Sequence, residues 1–129
     1  MPRQDLCERA FTFAGAAFRF ANRLTPLGPL YSHIALQLFK AASSIGANLE
    51  EGHAASSRRD MAAKYAISLR ESREARFWLR LVAADAQFNA EALPLIREAT
   101  EFVNMLTPSV RRLRDSPDDG PDSQDSPLT

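Results

Sequence analysis

Apolar residues recur along the chain at the three-and-four spacing of a helix, in four stretches separated by short breaks. Leu6, Ala10, Phe13, Ala17, Phe20 and Leu24 step by 4, 3, 4, 3 and 4, a seam that one face of a helix can bury against its neighbours. Thr25-Pro26-Leu27-Gly28-Pro29 breaks it, because proline cannot continue the hydrogen-bond ladder. A second seam, Ile34, Leu38, Ala41, Ile45 and Leu49, begins near Tyr31 or Ser32, and Gly52 is expected to stop it in a left-handed conformation. Ser56 or Ser57 is placed to cap the third helix, and Ser57 with Asp60 reads as a capping box using the shorter acid. That helix is predicted over about 58–86, on Met61, Tyr65, Leu69, Ser72, Leu79 and Val82. After a link at Gln87–Glu91, the fourth seam carries Leu93, Ile96, Ala99, Phe102 or Val103, Leu106, Val110 and Leu113. Pro94 is read into its first turn; at Pro108 either the helix kinks or Thr107 caps a last short turn.

No two-residue alternation persists, so nothing reads as a strand. Short connectors make consecutive helices antiparallel, and the predicted fold is an all-α, up-down-up-down four-helix bundle. The apolar surface exceeds what one such chain buries. On a helical wheel, Phe13 and Phe20 point one way and Phe11 and Phe18 about 160° away, whereas one core face needs an arc of only about 100°. Phe77-Trp78-Leu79 and Leu81-Val82-Ala83-Ala84 likewise cover most of the third helix. Self-association is the expectation, with Phe11, Phe18, Phe77 and Trp78 at the interface; a wide core filled by aromatics is the alternative.

The chain has 129 residues, which fits one domain. Its zero formal charge, 16 basic against 16 acidic residues, hides an uneven distribution. Residues 115–129, DSPDDGPDSQDSPLT, hold five aspartates and no basic residue, which leaves 16 − 11 = +5 on residues 1–114. The domain division is therefore a bundle over 1–114 and an acidic tail over 115–129 too poor in apolar residues to order itself. A single cysteine, Cys7, excludes an internal disulfide. With no long apolar run and no clear secretion signal, the expected location is the cytoplasm, with no membrane contact.

The third helix holds seven basic residues, Arg58, Arg59, Lys64, Arg70, Arg73, Arg76 and Arg80, against Asp60, Glu71 and Glu74. Arg111, Arg112 and Arg114 cluster near the end of the fourth. One reading is contact with nucleic-acid phosphates, for which Arg58, Arg59, Arg111, Arg112 and Arg114 are the candidates. The other is a solvated face with intrahelical pairs such as Arg70–Glu74. Ser44, Asn48 and Glu51 share one face of the second helix, and with Glu71, Arg73 and Glu74 of the third they are read as a polar network that fixes helix register. Glu50-Glu51-Gly52-His53 contains one Glu-x-x-His, but His33 has no glutamate three residues before it, so the paired motif of a di-iron bundle is missing. No metal, cofactor or catalytic residue is predicted, and the chain reads as a non-enzyme.

Three stretches carry a resemblance to a known family. Ser44-Ile45-Gly46-Ala47-Asn48-Leu49-Glu50-Glu51 looks like its Ser-Ile-Gly-Ala-Asn-x-x-Glu signature, and Ser56-Ser57-Arg58-Arg59-Asp60 like the polar entry to its third helix. Arg70-Glu71-Ser72-Arg73-Glu74-Ala75-Arg76-Phe77-Trp78-Leu79 looks like its Lys-Glu-Ala-Arg-Glu-Thr-x-Tyr-Trp-Leu run. Over about residues 5–114 the chain resembles the small bacterial four-helix-bundle proteins first noticed as reading frames inside intervening sequences of large-subunit ribosomal RNA genes. The resemblance implies a ring-shaped oligomer, commonly a homopentamer, of unknown role. A related branch is accessory to diversity-generating reverse transcriptases and binds nucleic acid through a basic pentamer surface. The partners so implied are further copies of the chain, RNA or DNA, and a reverse transcriptase where one is encoded nearby. The alternative is a protein-interaction scaffold with no nucleic-acid role. The chain departs from the pattern at Ala75 for threonine, Phe77 for tyrosine, Gly52 for alanine, and Met61-Ala62 for a bulkier pair.

Overall fold

The computed structural model describes residues 3–115, and every regular element among them is helical. Four helices, α1 (Arg3–Leu24), α2 (Pro29–His53), α3 (Arg58–Ala83) and α4 (Ala86–Asp115), follow one another in chain order. A single 3-10 turn, Thr25–Leu27, links the first two. Each helix packs on the next, α1 on α2, α2 on α3 and α3 on α4. The α1–α4 backbones approach less closely, and large side chains span that seam. Phe13 meets Phe102 edge-on at 5.6 Å and Phe20 meets Phe88 at 6.2 Å. Arg9 donates to both carboxylate oxygens of Glu98, at 2.6 and 3.0 Å, while its guanidinium lies 5.7 Å from the Phe102 centroid. This is the predicted antiparallel four-helix bundle. Of the tail read over 115–129, Asp115 is the last residue of α4, and 116–129 lie outside the described residues.

The predicted seams supply most of the core of α1 to α3, with Leu6, Ile34 and Met61 only half-buried at its edge. Ala10, Phe13, Ala17, Phe20 and Leu24 are buried, as are Leu38, Ala41, Ile45 and Leu49, and Tyr65, Leu69, Ser72, Leu79 and Val82. Gly28, at φ 143°, turns the chain between α1 and α2, in backbone space that other residues avoid. Ser57 caps α3, its hydroxyl accepting from the Asp60 amide at 3.1 Å.

Three local expectations are corrected. Gly52 does not stop α2 in a left-handed turn; it lies within the helix, which runs on to His53 and ends at Ala54 with ordinary helical angles. Its lack of a side chain serves packing instead, because a Cβ there would stand 2.7 Å from the Tyr65 ring. The α3–α4 link is Ala84-Asp85, not Gln87–Glu91. Asp85 accepts from the Gln87 amide at 3.2 Å and so caps α4, which begins at Ala86, seven residues before Leu93. Consequently Phe88 and Ala92 fill the core while Leu93 is exposed. Pro94 and Pro108 both lie inside α4, which continues through them to Asp115 without Thr107 acting as a cap; the Thr107 hydroxyl donates back to the Val103 carbonyl. Each proline deprives the carbonyl four residues earlier of its partner. Those residues, Ala90 and Asn104, lie on the exposed side of the helix.

Candidate nucleic-acid interface and apolar faces

In an up-and-down bundle the start of α3 and the end of α4 share one end of the molecule. That end gathers Arg58 and Arg59 with Arg111, Arg112 and Arg114, residues more than fifty positions apart in sequence. Arg59, Arg111, Arg112 and Arg114 are exposed and Arg58 is half-buried. Arg112 donates to the Ser109 hydroxyl at 3.3 Å. The arginines in the last turn of α4 also lie at the negative end of its dipole, which favours cations there. Lys64 adds to the basic side of this region; Glu50, Glu51, Asp60 and Asp115 oppose it.

The residues read as a polar network do not all meet. Asn48 donates to the Ser44 carbonyl at 2.9 Å and hydroxyl at 3.0 Å, all within α2. Glu51 and Arg73 are exposed. Arg70 pairs with Glu71 at 3.6 Å rather than with Glu74, whose carboxylate accepts from the Trp78 indole at 3.4 Å. The polar link between α2 and α3 is made by a residue the seam did not include. Ser68, fully buried, donates to the Ile45 carbonyl at 2.9 Å, and Ser72 beside it donates to the Ser68 carbonyl at 2.8 Å.

The outer side of α1 and α2 is apolar and concave. Two adjoining cavities, of about 510 and 460 Å³, share Phe18 and Phe39 and form a trough along the helix pair. Gly15, Gly46 and Ala47 are among the small residues of its wall, and Phe11 stands beside it at 74% exposure. On α3, Phe77 is 55% exposed, whereas Trp78 is half-buried and packs against the His33 ring of α2 at 6.0 Å. Among the described residues no group of three or more His, Cys, Asp or Glu side chains comes together as a metal site, and His53 and Glu50 are both exposed. No helix among them is long and apolar enough to cross a membrane.

Residues 3–108 match the 23S rRNA-intervening sequence protein family. The chain belongs to that family. The match takes in every stretch that carried the resemblance, and the family as such establishes no activity. Among solved structures, the chain is similar to a protein of unknown function from the S23 ribosomal protein family of Bacteroides thetaiotaomicron VPI-5482. The two are 23% identical, the alignment covers 86% of this chain and 99% of that one, and the TM-score is 0.76. At that identity the likeness speaks for the shared helical fold. No curated protein matches the chain.

Proposed function

We propose that this member of the family is a non-catalytic, self-assembling bundle that holds nucleic-acid phosphates on the arginines at one of its ends. The observation that carries the reading is the convergence of Arg58, Arg59, Arg111, Arg112 and Arg114 at the shared end of α3 and α4. Guanidinium groups suit phosphate oxygens, and each phosphate neutralised adds to a salt-dependent affinity. Copies of the patch in a symmetric assembly reinforce one another, and residues 1–114 supply +5 per chain. The assembly we propose is a ring-shaped homopentamer, with the exposed Phe11 and Phe18 and the α1–α2 trough contributing to contacts between copies.

Light scattering on the full chain should then give five times the 14.3 kDa protomer mass. Affinity for RNA and DNA, followed by fluorescence anisotropy from low to physiological salt, should fall steeply with salt and vary little with sequence. The triple substitution Arg111→Ala, Arg112→Ala, Arg114→Ala should flatten that slope. An assembly that binds neither polymer at low salt sinks this reading. The scaffold reading, supported by the apolar trough, takes its place.

A further inference from the structure

The outward face of α3 carries a feature that phosphate binding at the helix ends does not use. Phe77 lies opposite the buried positions Ala75, Leu79 and Val82 and is 55% exposed. Arg73 precedes it by four residues and Arg80 follows it by three, spacings that put both beside Phe77 on the helix surface, and Arg70 lies one further turn back. All three arginines are exposed. The acids of this stretch are Glu71, beside Arg70 at 3.6 Å, and Glu74, which accepts from the Trp78 indole. Behind Phe77 the Trp78 ring, at 5.2 Å and edge-on, is itself backed by His33. At the same three- and four-residue spacings Phe77 also neighbours Glu74 and Leu81, both exposed. An apolar ring held out by a packed aromatic neighbour, with an arginine on either side, is a poor solvated face, because it leaves a phenylalanine in water. It is a good match for a polyanion that offers flat apolar surfaces.

We propose that Phe77 is a stacking platform for an unpaired nucleobase, with Arg70, Arg73 and Arg80 holding the phosphates on either side, so that the α3 face takes single-stranded nucleic acid. The proposal rests on the nucleic-acid reading above and adds to it a site, a strand state and a mode of contact. Stacking on an exposed aromatic ring tolerates any base, and the duplex hides its bases from such a ring, so the site discriminates strand state rather than sequence. The helix-end arginines, which touch phosphate only, make no such distinction.

The test compares three probes on the full chain: an oligothymidylate, an abasic strand of equal length and a duplex of equal length. Wild type should bind the oligothymidylate more tightly than the abasic strand. Phe77→Ala should weaken oligothymidylate binding by about fivefold or more, the scale of one lost stacking contact, and leave the other two probes unchanged. Phe77→Tyr should keep the wild-type preference, and Arg73→Gln with Arg80→Gln should reduce the salt slope for the oligothymidylate. In the unmodified protein, oligothymidylate and not the abasic strand should alter the fluorescence of Trp78, the one tryptophan of the chain. Equal binding of the strand with and without bases, or an unchanged affinity in Phe77→Ala, overturns the platform while leaving the phosphate reading intact. A smaller particle mass for Phe77→Ala also overturns it, by making Phe77 a contact between copies. Loss of all three interactions in wild type removes the phosphate reading itself.

Discussion

Gly52 of α2 lies directly against the ring of Tyr65 of α3: a Cβ at position 52 would stand 2.7 Å from both Cδ1 and Cε1, and 3.2 Å from the Lys64 Cβ. Tyr65 is only 6% exposed. Overpacking there should cost about 1–3 kcal/mol against the roughly 1 kcal/mol that alanine gains over glycine inside a helix, so Gly52→Ala should destabilise the bundle by up to about 2 kcal/mol net. Gly15→Ala is the control. Within one protomer its Cβ would meet only the Arg19 guanidinium, at an ordinary 3.6 Å, so the helix gain should raise stability unless a second copy packs on the trough that Gly15 lines. Thermal melts of the two variants should move in opposite directions; a parallel shift contradicts the close approach.

Ser68 and Ser72 are both fully buried, but their hydroxyls do different things. Ser68 bridges helices, donating to Ile45 of α2, whereas Ser72 donates to a carbonyl of its own helix. A serine that bonds back within its helix adds little, since it joins nothing that the helix does not already hold together. Ser68→Ala should cost about 1 kcal/mol and Ser72→Ala distinctly less, measured by chemical denaturation. Equal costs would mean that the α2–α3 bond contributes nothing beyond volume.

The sequence made the core legible where helices kept a single phase. The α1 seam from Ala10 to Leu24 is buried as spaced, because nothing interrupts the three-and-four rhythm. It misled at Ala84-Asp85, where a two-residue turn sits inside the run Leu-Val-Ala-Ala-Asp-Ala-Gln-Phe and only the Asp85 cap marks it. Missing that cap displaced the start of α4 and put Leu93 in the core instead of Phe88. Asp85 followed by a good helix-forming stretch was the available signal. At the candidate site, the arginines could be found from composition, but their meeting at one end needed the topology. The Ser68–Ile45 bond had no signal at all, since a serine one position from a seam reads the same whether it faces a carbonyl or water.

Asp85 also links the turn to α2, since the Tyr31 hydroxyl donates to its carboxylate. That bond first, and then the Gln87 amide, hold the Asp85 carboxyl below its ordinary value. A group whose folded pKa is depressed contributes stability above its unfolded pKa, near 3.9, and loses it as pH falls through the folded value. The contribution of Asp85 should therefore be whole at neutral pH and fade below about pH 4. Tyr31→Phe removes the larger cause. Its melting temperature should differ from wild type at pH 7, with the gap narrowing on acidification. A gap that stays constant down to the acid limit would show that the Tyr31–Asp85 bond is not coupled to folding.

Residues 116–129 carry Asp118, Asp119, Asp122 and Asp125 and no basic residue, and they follow directly on the α4 end where Arg111, Arg112 and Arg114 are exposed. Ending the chain at Asp115 removes four negative charges, taking the formal total from 0 to +4. If those arginines hold phosphates, four carboxylates tethered beside them compete for the same cations, and the competition is intramolecular, so dilution does not relieve it. Truncation should then raise affinity for RNA and DNA at low salt, and the gain should shrink as salt screens both interactions. Anisotropy titrations of the full and truncated chains at two salt concentrations separate this from a general effect of net charge. Replacing the four aspartates by asparagine should reproduce the truncation, whereas four equivalent charges removed from the far end of the bundle should not. An affinity that ignores the tail at low salt removes the competition, and with it the assignment of the phosphate site to the α4 end.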